Sequence, residues 1–136
     1  MGYTDGAWQA QTLDAGMGWI LKNDQGSTIT HGSSSRQFVP SALAAEALAI
    51  REALTAFTHF GSQKIQVNSD SQVLISLIKS GESPPEIAGI LLDIRESLSL
   101  FPCISFKAIA RKEDSSADSL AKAALFSLVV PSSNGE

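Results

Sequence analysis

The sequence predicts a mixed α/β protein, one sheet that begins with antiparallel strands and ends with parallel ones, covered by helices. Three observations carry this. Three strand-like runs joined by short turns fill the first part of the chain, as an antiparallel meander requires. From Ser41 the apolar period lengthens to that of a helix. Each later strand then arrives through a helical stretch, which is how parallel strands are connected. The expected element order is β-β-β-α-β-α-α-β-α.

Element by element, Met1-Gly2-Tyr3-Thr4-Asp5 leaves almost no residues before Asp5, so a first strand there is expected to be short, or the chain to be excised from a longer polypeptide. Gly16-Met17-Gly18-Trp19-Ile20-Leu21 is a second strand whose glycines tolerate a bulge or a close backbone approach. Asn23-Asp24-Gln25-Gly26 has the chemistry of a hairpin turn. Ser27 to Ser33 returns as a shallow or edge strand, and Ser33 to Pro40 reads as a polar connection. Leu43, Ala47, Ile50, Leu54 and Phe57 then mark a helix that ends near Gly61. Its Ala-rich first half carries one charge, Glu46; close packing of so small-sided a helix on the sheet would bring that carboxylate to the sheet's functional edge.

Ile65-Gln66-Val67 alternates as a strand up to Asp70, after which Val73, Leu74, Leu77 and Ile78 trace a helix to about Ser80. Pro84-Pro85 breaks the pattern, and Ile87, Ile90, Leu91, Ile94 and Leu98 form another helical stripe. Cys103 to Ala110 alternates as the last strand, with Cys103 expected as a buried small hydrophobe. Ser115 to Leu128 is the last helix. The domain is expected to span residues 1–130, with 131–136 a floppy tail.

The composition narrows the class. A chain of 136 residues with 43% hydrophobic and 18% charged residues fits one folded domain with a real core. One cysteine and no secretion signal suit an intracellular, reducing setting in cytoplasm or nucleus. No apolar run approaches the roughly 18 residues of a membrane span. With one Cys and two His, a typical zinc site is excluded. Ten Lys and Arg against fourteen Asp and Glu argue against a free-standing, tight, non-specific nucleic-acid binder. An acidic enzyme can still act on nucleic acid where its acids hold cations.

Four acids stand at element junctions: Asp5 in the first strand, Glu46 in the first helix, Asp70 at a strand end and Asp118 early in the last helix. Each has a plain structural reading. Thr4-Asp5-Gly6 makes a turn, Glu46 sits on a solvated face, Asp70 caps a helix, and Ser115 with Asp118 forms a capping box. Jointly they are harder to dismiss, since the first strand and the strand ending at Asp70 can be central neighbours in a mixed sheet. Converging carboxylates repel unless cations compensate. Mg²⁺, hard and oxygen-seeking, suits such a pocket. Two such ions about 4 Å apart can activate a water and stabilise the leaving oxygen of a phosphodiester.

Thr4-Asp5-Gly6-Ala7, Ala45-Glu46-Ala47, Ser69-Asp70-Ser71-Gln72 and Ala117-Asp118-Ser119-Leu120-Ala121, in this order, resemble a type 1 ribonuclease H domain over essentially the whole chain. Arg111 to Ala121 looks closest to plant ribonuclease H-like domains, including those of LINE-type retrotransposons. The resemblance implies the ribonuclease H-like fold, a five-stranded mixed sheet in order 3-2-1-4-5 flanked by helices. It implies Asp5, Glu46, Asp70 and Asp118 as catalytic, metal-binding acids for two Mg²⁺ ions, with Mn²⁺ as a substitute. It implies endonucleolytic hydrolysis of the RNA strand of RNA–DNA hybrids, leaving 5′-phosphate and 3′-hydroxyl ends. Gly6, Ala7, Ser41, Gln72 and Arg111 are the implied substrate contacts. A monomer is expected, with a reverse transcriptase or other domains of a longer polypeptide as partners.

The sequence departs from that pattern in places. Ala42 and Leu43 stand where many members have Asn, the loop Ala110 to Ser115 has no His, and Gly81 to Pro85 carries no basic insertion. Asp114 stands where plant-type members often have Asn, an added charge expected to loosen phosphate contact or weaken the second metal's hold. Trp8 and Trp19 read as core or rim aromatics. Within the same fold, an exonuclease shows two acids one residue apart in the first strand, whereas Gly6 and Ala7 follow Asp5 here. The alternative from another class is a non-catalytic or weakly active binding and tethering module. Retention of all four acids favours the nuclease.

Overall fold

In a computed structural model, which describes residues 1–60 and 64–129, the chain forms one five-stranded sheet in the order β3-β2-β1-β4-β5. The strands are β1 (Gly2–Gln9), β2 (Asp14–Lys22), β3 (Thr28–Arg36), β4 (Ile65–Ser69) and β5 (Ile104–Ala108). The helices are α1 (Ala42–Phe57), α2 (Gln72–Ser80), α3 (Ala88–Ser97) and α4 (Ser115–Val129). β1-β2 and β2-β3 pair antiparallel, and β1-β4 and β4-β5 pair parallel, as connection type dictates. The expected tail and the helix end near Gly61 lie outside the described residues. No helix among the described residues is long and apolar enough to cross a membrane.

Two strand expectations need correction. β1 is no stub: it runs eight residues, through Asp5 to Gln9, because β2 supplies a full antiparallel partner from Gly2↔Leu21 to Gln9↔Asp14. β3 likewise continues to Arg36, past the expected end at Ser33, since its pairing with β2 reaches Ala15↔Arg36. Backbone pairing at a sheet edge needs no apolar side chains, so the polar Ser33-Ser34-Ser35 run still pairs with Gly18, Met17 and Gly16. The Asn23 turn is as expected: its Oδ1 accepts the N–H groups of Gln25 and Ser27 (3.0 and 2.9 Å), and Gly26 takes φ 81°.

The core lies mainly between the sheet and α1. Ile50, Leu54 and Phe57 are fully buried, and α1 is covered on its outer side by α3, whose Leu91 and Ile94 are also fully buried. Each such side chain contributes about 1.5–3 kcal/mol relative to exposure. This double burial explains a helix with so few charges. Trp8 packs against the core, and its indole N–H donates to the Val39 carbonyl (2.8 Å). Cys103, expected inside, is exposed, because it precedes edge strand β5.

Small residues let the helices approach the sheet from both sides. A Cβ on Gly6 would sit 2.5 Å from the Ala45 carbonyl carbon in α1, and one on Gly18 would sit 2.5 Å from the Ala117 carbonyl oxygen in α4. α1 and α4 therefore cover opposite faces, each with its backbone almost touching the strands near Asp5.

Gly18→Ala is expected to destabilise the protein by about 1–3 kcal/mol, because α4 backbone must shift to admit the methyl group. Gly89→Ala in α3, where a Cβ meets nothing within 4 Å, is expected to be neutral or to stabilise by up to about 1 kcal/mol. Urea unfolding of both variants checks the contrast; equal effects would show that α4 can retreat freely.

Candidate active site

The register of the parallel pair builds the site. Gly2 aligns with Val67, Tyr3 with Asn68 and Thr4 with Ser69, so the next step sets Asp5 beside Asp70. This is the C-terminal end of β4, the edge at which open α/β sheets commonly bind ligands. Asp5 is only 3% exposed. Asp70 does not cap α2. That duty falls to Ser71, whose Oγ accepts the Leu74 N–H (3.3 Å), while Ser69 Oγ accepts the Ser71 N–H (3.1 Å). The Asp70 carboxylate is thereby left for Asp5's neighbourhood.

Glu46 reaches the same corner from α1. β1 outruns β4, and the Gly6 N–H beyond the parallel pairing donates to Glu46 Oε1 (3.0 Å). From the other face comes α4, preceded by a 3₁₀ turn over Arg111–Asp114. Ser115 has helical dihedrals (φ −61°, ψ −34°), so the expected capping box of Ser115 with Asp118 does not form. Instead Glu113 Oε1 accepts the Ala110 N–H (3.1 Å), closing the entry to the turn and leaving Asp118 for other contacts. Asp118 pairs with Lys122 at 3.0 Å and hydrogen-bonds Asp5.

A fifth acid completes the cluster. Asp5, Asp70 and Asp114 each offer a carboxylate oxygen, and these atoms lie within 4.8 Å of one another. Asp114 is 1% exposed, and neither of its side-chain oxygens has a hydrogen-bond partner. Sequence reasoning treated it as an intrusion in the loop. Its spacing of four from Asp118 was the available signal, since residues i and i+4 share a helical face.

Burial pushes the Asp5 carboxyl up to about 9, with the Glu46 carboxylate, the hydrogen bond to Asp118 and the Asp70 charge adding to the rise. Burial and the Asp70 charge push Glu46 up to about 8, against the Gly6 amide that favours its ionised form. Burial, followed by the Asp5 and Asp70 charges, also raises Asp114 to about 9; the approaching Asp70 amide opposes this without meeting hydrogen-bond geometry. For Asp118, burial would raise the value, but the hydrogen bond from Asp5 and the Lys122 ammonium outweigh it and hold the group below the usual range. The donors are hard oxygens with two orphaned lone-pair sets among them, a set that fits Mg²⁺ or Mn²⁺ and not a soft metal.

An open cleft of about 610 Å³ adjoins the cluster, lined by Leu43, Glu46, Asp70, Gln72 and Arg111 among others. Arg111 reaches Asp70 (Nε–Oδ2 3.3 Å), although its own side chain is 84% exposed. Gln72 opens α2 and is exposed, and Gly6 and Ala7 are half-buried on the part of β1 beyond β4. Ser41 caps α1, its Oγ accepting from Ala44 N–H (3.1 Å) and donating to Glu86 (2.9 Å). A carboxylate therefore already holds the hydroxyl proposed for a phosphate.

A family model described as reverse transcriptase-like matches residues 3–124. Among solved structures, the chain is similar to the ribonuclease H1 of the halophilic archaeon Halobacterium salinarum, at 27% identity and a TM-score of 0.85, covering 93% of this chain and 96% of that one. It shares its fold with a compost-derived ribonuclease H1 solved in complex with an RNA/DNA hybrid (21% identity, TM-score 0.87, 95% and 98% covered). The same fold occupies 21% of the prototype foamy virus protease-reverse transcriptase (20% identity, TM-score 0.74, 96% of this chain covered). Comparison with curated proteins yields no match.

Asp5, Glu46 and Asp114 hold protons more tightly when folded, with values raised from 3.8–4.5 to about 8–9. The folded state therefore binds more protons than the unfolded one across that window, so stability falls as pH rises through it. In chelator, the thermal midpoint is expected to be highest at about pH 4–5 and to decline toward about pH 9. Saturating Mg²⁺ should flatten the decline. A midpoint that stays level or climbs between those limits in chelator would contradict the crowded, uncompensated cluster.

Proposed function

Because the chain belongs to the reverse transcriptase-like family and carries a type 1 ribonuclease H fold, we propose that it is an endonuclease hydrolysing the RNA strand of RNA–DNA hybrids, leaving 5′-phosphate and 3′-hydroxyl ends. The observation that carries the reading is the buried all-oxygen cluster at the C-terminal end of β4, beside an open cleft. Two divalent cations held by carboxylates there would supply water activation and charge neutralisation at the phosphate.

The chain's own residues account for the rest. Asp5 and Asp70, set side by side by sheet register, Glu46, oriented by the Gly6 amide, and Asp118 of α4 would hold the cations. Gly6, Ala7 and Gln72 lie along the RNA strand, where the 2′-hydroxyl separates RNA from DNA. Arg111, largely exposed beside Asp70, contacts a phosphate, whereas the Ser41 hydroxyl would have to leave Glu86 to do the same. The motif from Arg111 to Ala121 supports placement among the plant and LINE-type retrotransposon domains, which would set the chain beside a reverse transcriptase.

Labelled RNA–DNA hybrid should be cut by the wild type in Mg²⁺ or Mn²⁺, with cleavage at least roughly a hundredfold slower in Asp70→Asn. Equal residual cleavage in both, or none in either across both metals, overturns the reading and leaves a binding module. Cleavage should also fall steeply with added salt, since few cationic side chains grip the duplex and their phosphate contacts are screened. Salt-insensitive turnover would contradict that weak electrostatic grip.

A further inference from the structure

Asp114, like Asp5, has no basic partner among the described residues. Its two oxygens are buried and unpartnered, a state that in a folded protein calls for a specific cause. The nearby cations are engaged elsewhere: Arg111 points its guanidinium at Asp70, and Lys122 points its ammonium at Asp118. No ion pair reaches Asp114 among the described residues. What it does face, within 4.8 Å, are oxygens of Asp5 and Asp70.

Asp118 is placed differently. It is partly exposed, already satisfied by Lys122 and by Asp5, and does not belong to the group of three oxygens that converge. We propose that Asp114 is a further direct metal ligand in this protein, closing a three-carboxylate seat with Asp5 and Asp70 beside Glu46 and Asp118. The inference rests on the reading that the corner binds divalent cations, and it reverses the expectation that an acid at 114 weakens the metal's hold. A third anionic oxygen donor strengthens a hard-cation site, because affinity there follows ligand charge and number. An Asn at the same place would offer one neutral oxygen and two competing donors.

The test is a metal titration that does not depend on turnover. Mn²⁺ is titrated into wild type, Asp114→Asn, Asp114→Ser and, as a control, Asp93→Asn by calorimetry and by electron paramagnetic resonance, with thermal midpoints recorded in chelator and in saturating Mn²⁺. Both Asp114 variants should bind the tightest ion about tenfold more weakly or worse, and lose most of the cation-induced rise in midpoint, while staying as stable as wild type in chelator. Asp93→Asn, whose carboxylate pairs with Arg51 away from the corner, should bind as wild type does. A purely structural Asp114 leaves the cation-induced increment untouched, and that result overturns the proposal, as does an Asp93→Asn loss equal to that of Asp114→Asn. Two isosteric or smaller replacements keep the comparison available if one fails to fold. Hybrid cleavage, assayed separately, tells the two readings apart: Asp114-dependent Mn²⁺ binding without cleavage removes the nuclease and keeps the ligand, and cleavage with Asp114-independent binding does the reverse.

Discussion

The whole molecule is built around the forced proximity of like charges at the end of one parallel strand pair. The β1-β4 register sets Asp5 against Asp70, and nothing in either strand can relax that without sliding the sheet by a residue and turning every side chain to the other face. The core under α1 holds the register in place. Repulsion at the corner is thus fixed by hydrophobic burial elsewhere.

Glycine and alanine set how closely the two helices can come. Gly6 against Ala45 lets α1 lie so near β1 that Glu46 can reach a sheet amide, and Gly18 against Ala117 does the same for α4 on the other face. A side chain at any of these contacts would push an acid out of the corner. The small residues therefore act on the electrostatics through distance. The three-carboxylate cluster is as much a product of missing methyl groups as of the acids themselves.

The few basic residues near the corner are arranged to limit the repulsion without abolishing it. Arg111 and Lys122 each hold one carboxylate from a largely exposed position, where such pairs are weak and exchangeable. Asp70 and Asp118 are thereby partly neutralised, while Asp5 and Asp114 are not. A protein with a net charge of −4 cannot attract a polyanion over its general surface. On the proposed function, cations bound at the cluster would reverse that charge locally.

The sequence by itself determined the strand and helix order, the hairpin at Asn23, the mixed pairing and the stripes that build the core, because apolar period and turn chemistry are local properties. It also singled out Asp5, Glu46, Asp70 and Asp118 as acids out of place on their elements. It could not show that Ser71 and Glu113, and not Asp70 and Ser115, close the helix entries, since neighbouring polar residues compete for the same amides and only the dihedrals choose. It missed the length of β1 and β3, which backbone pairing with β2 extends regardless of side chain. It missed the exposure of Cys103. Above all it could not place Asp114. Whether an acid in a charged turn faces water or the core depends on how the 3₁₀ turn swings into α4 over the sheet, and that is decided by packing across the whole domain.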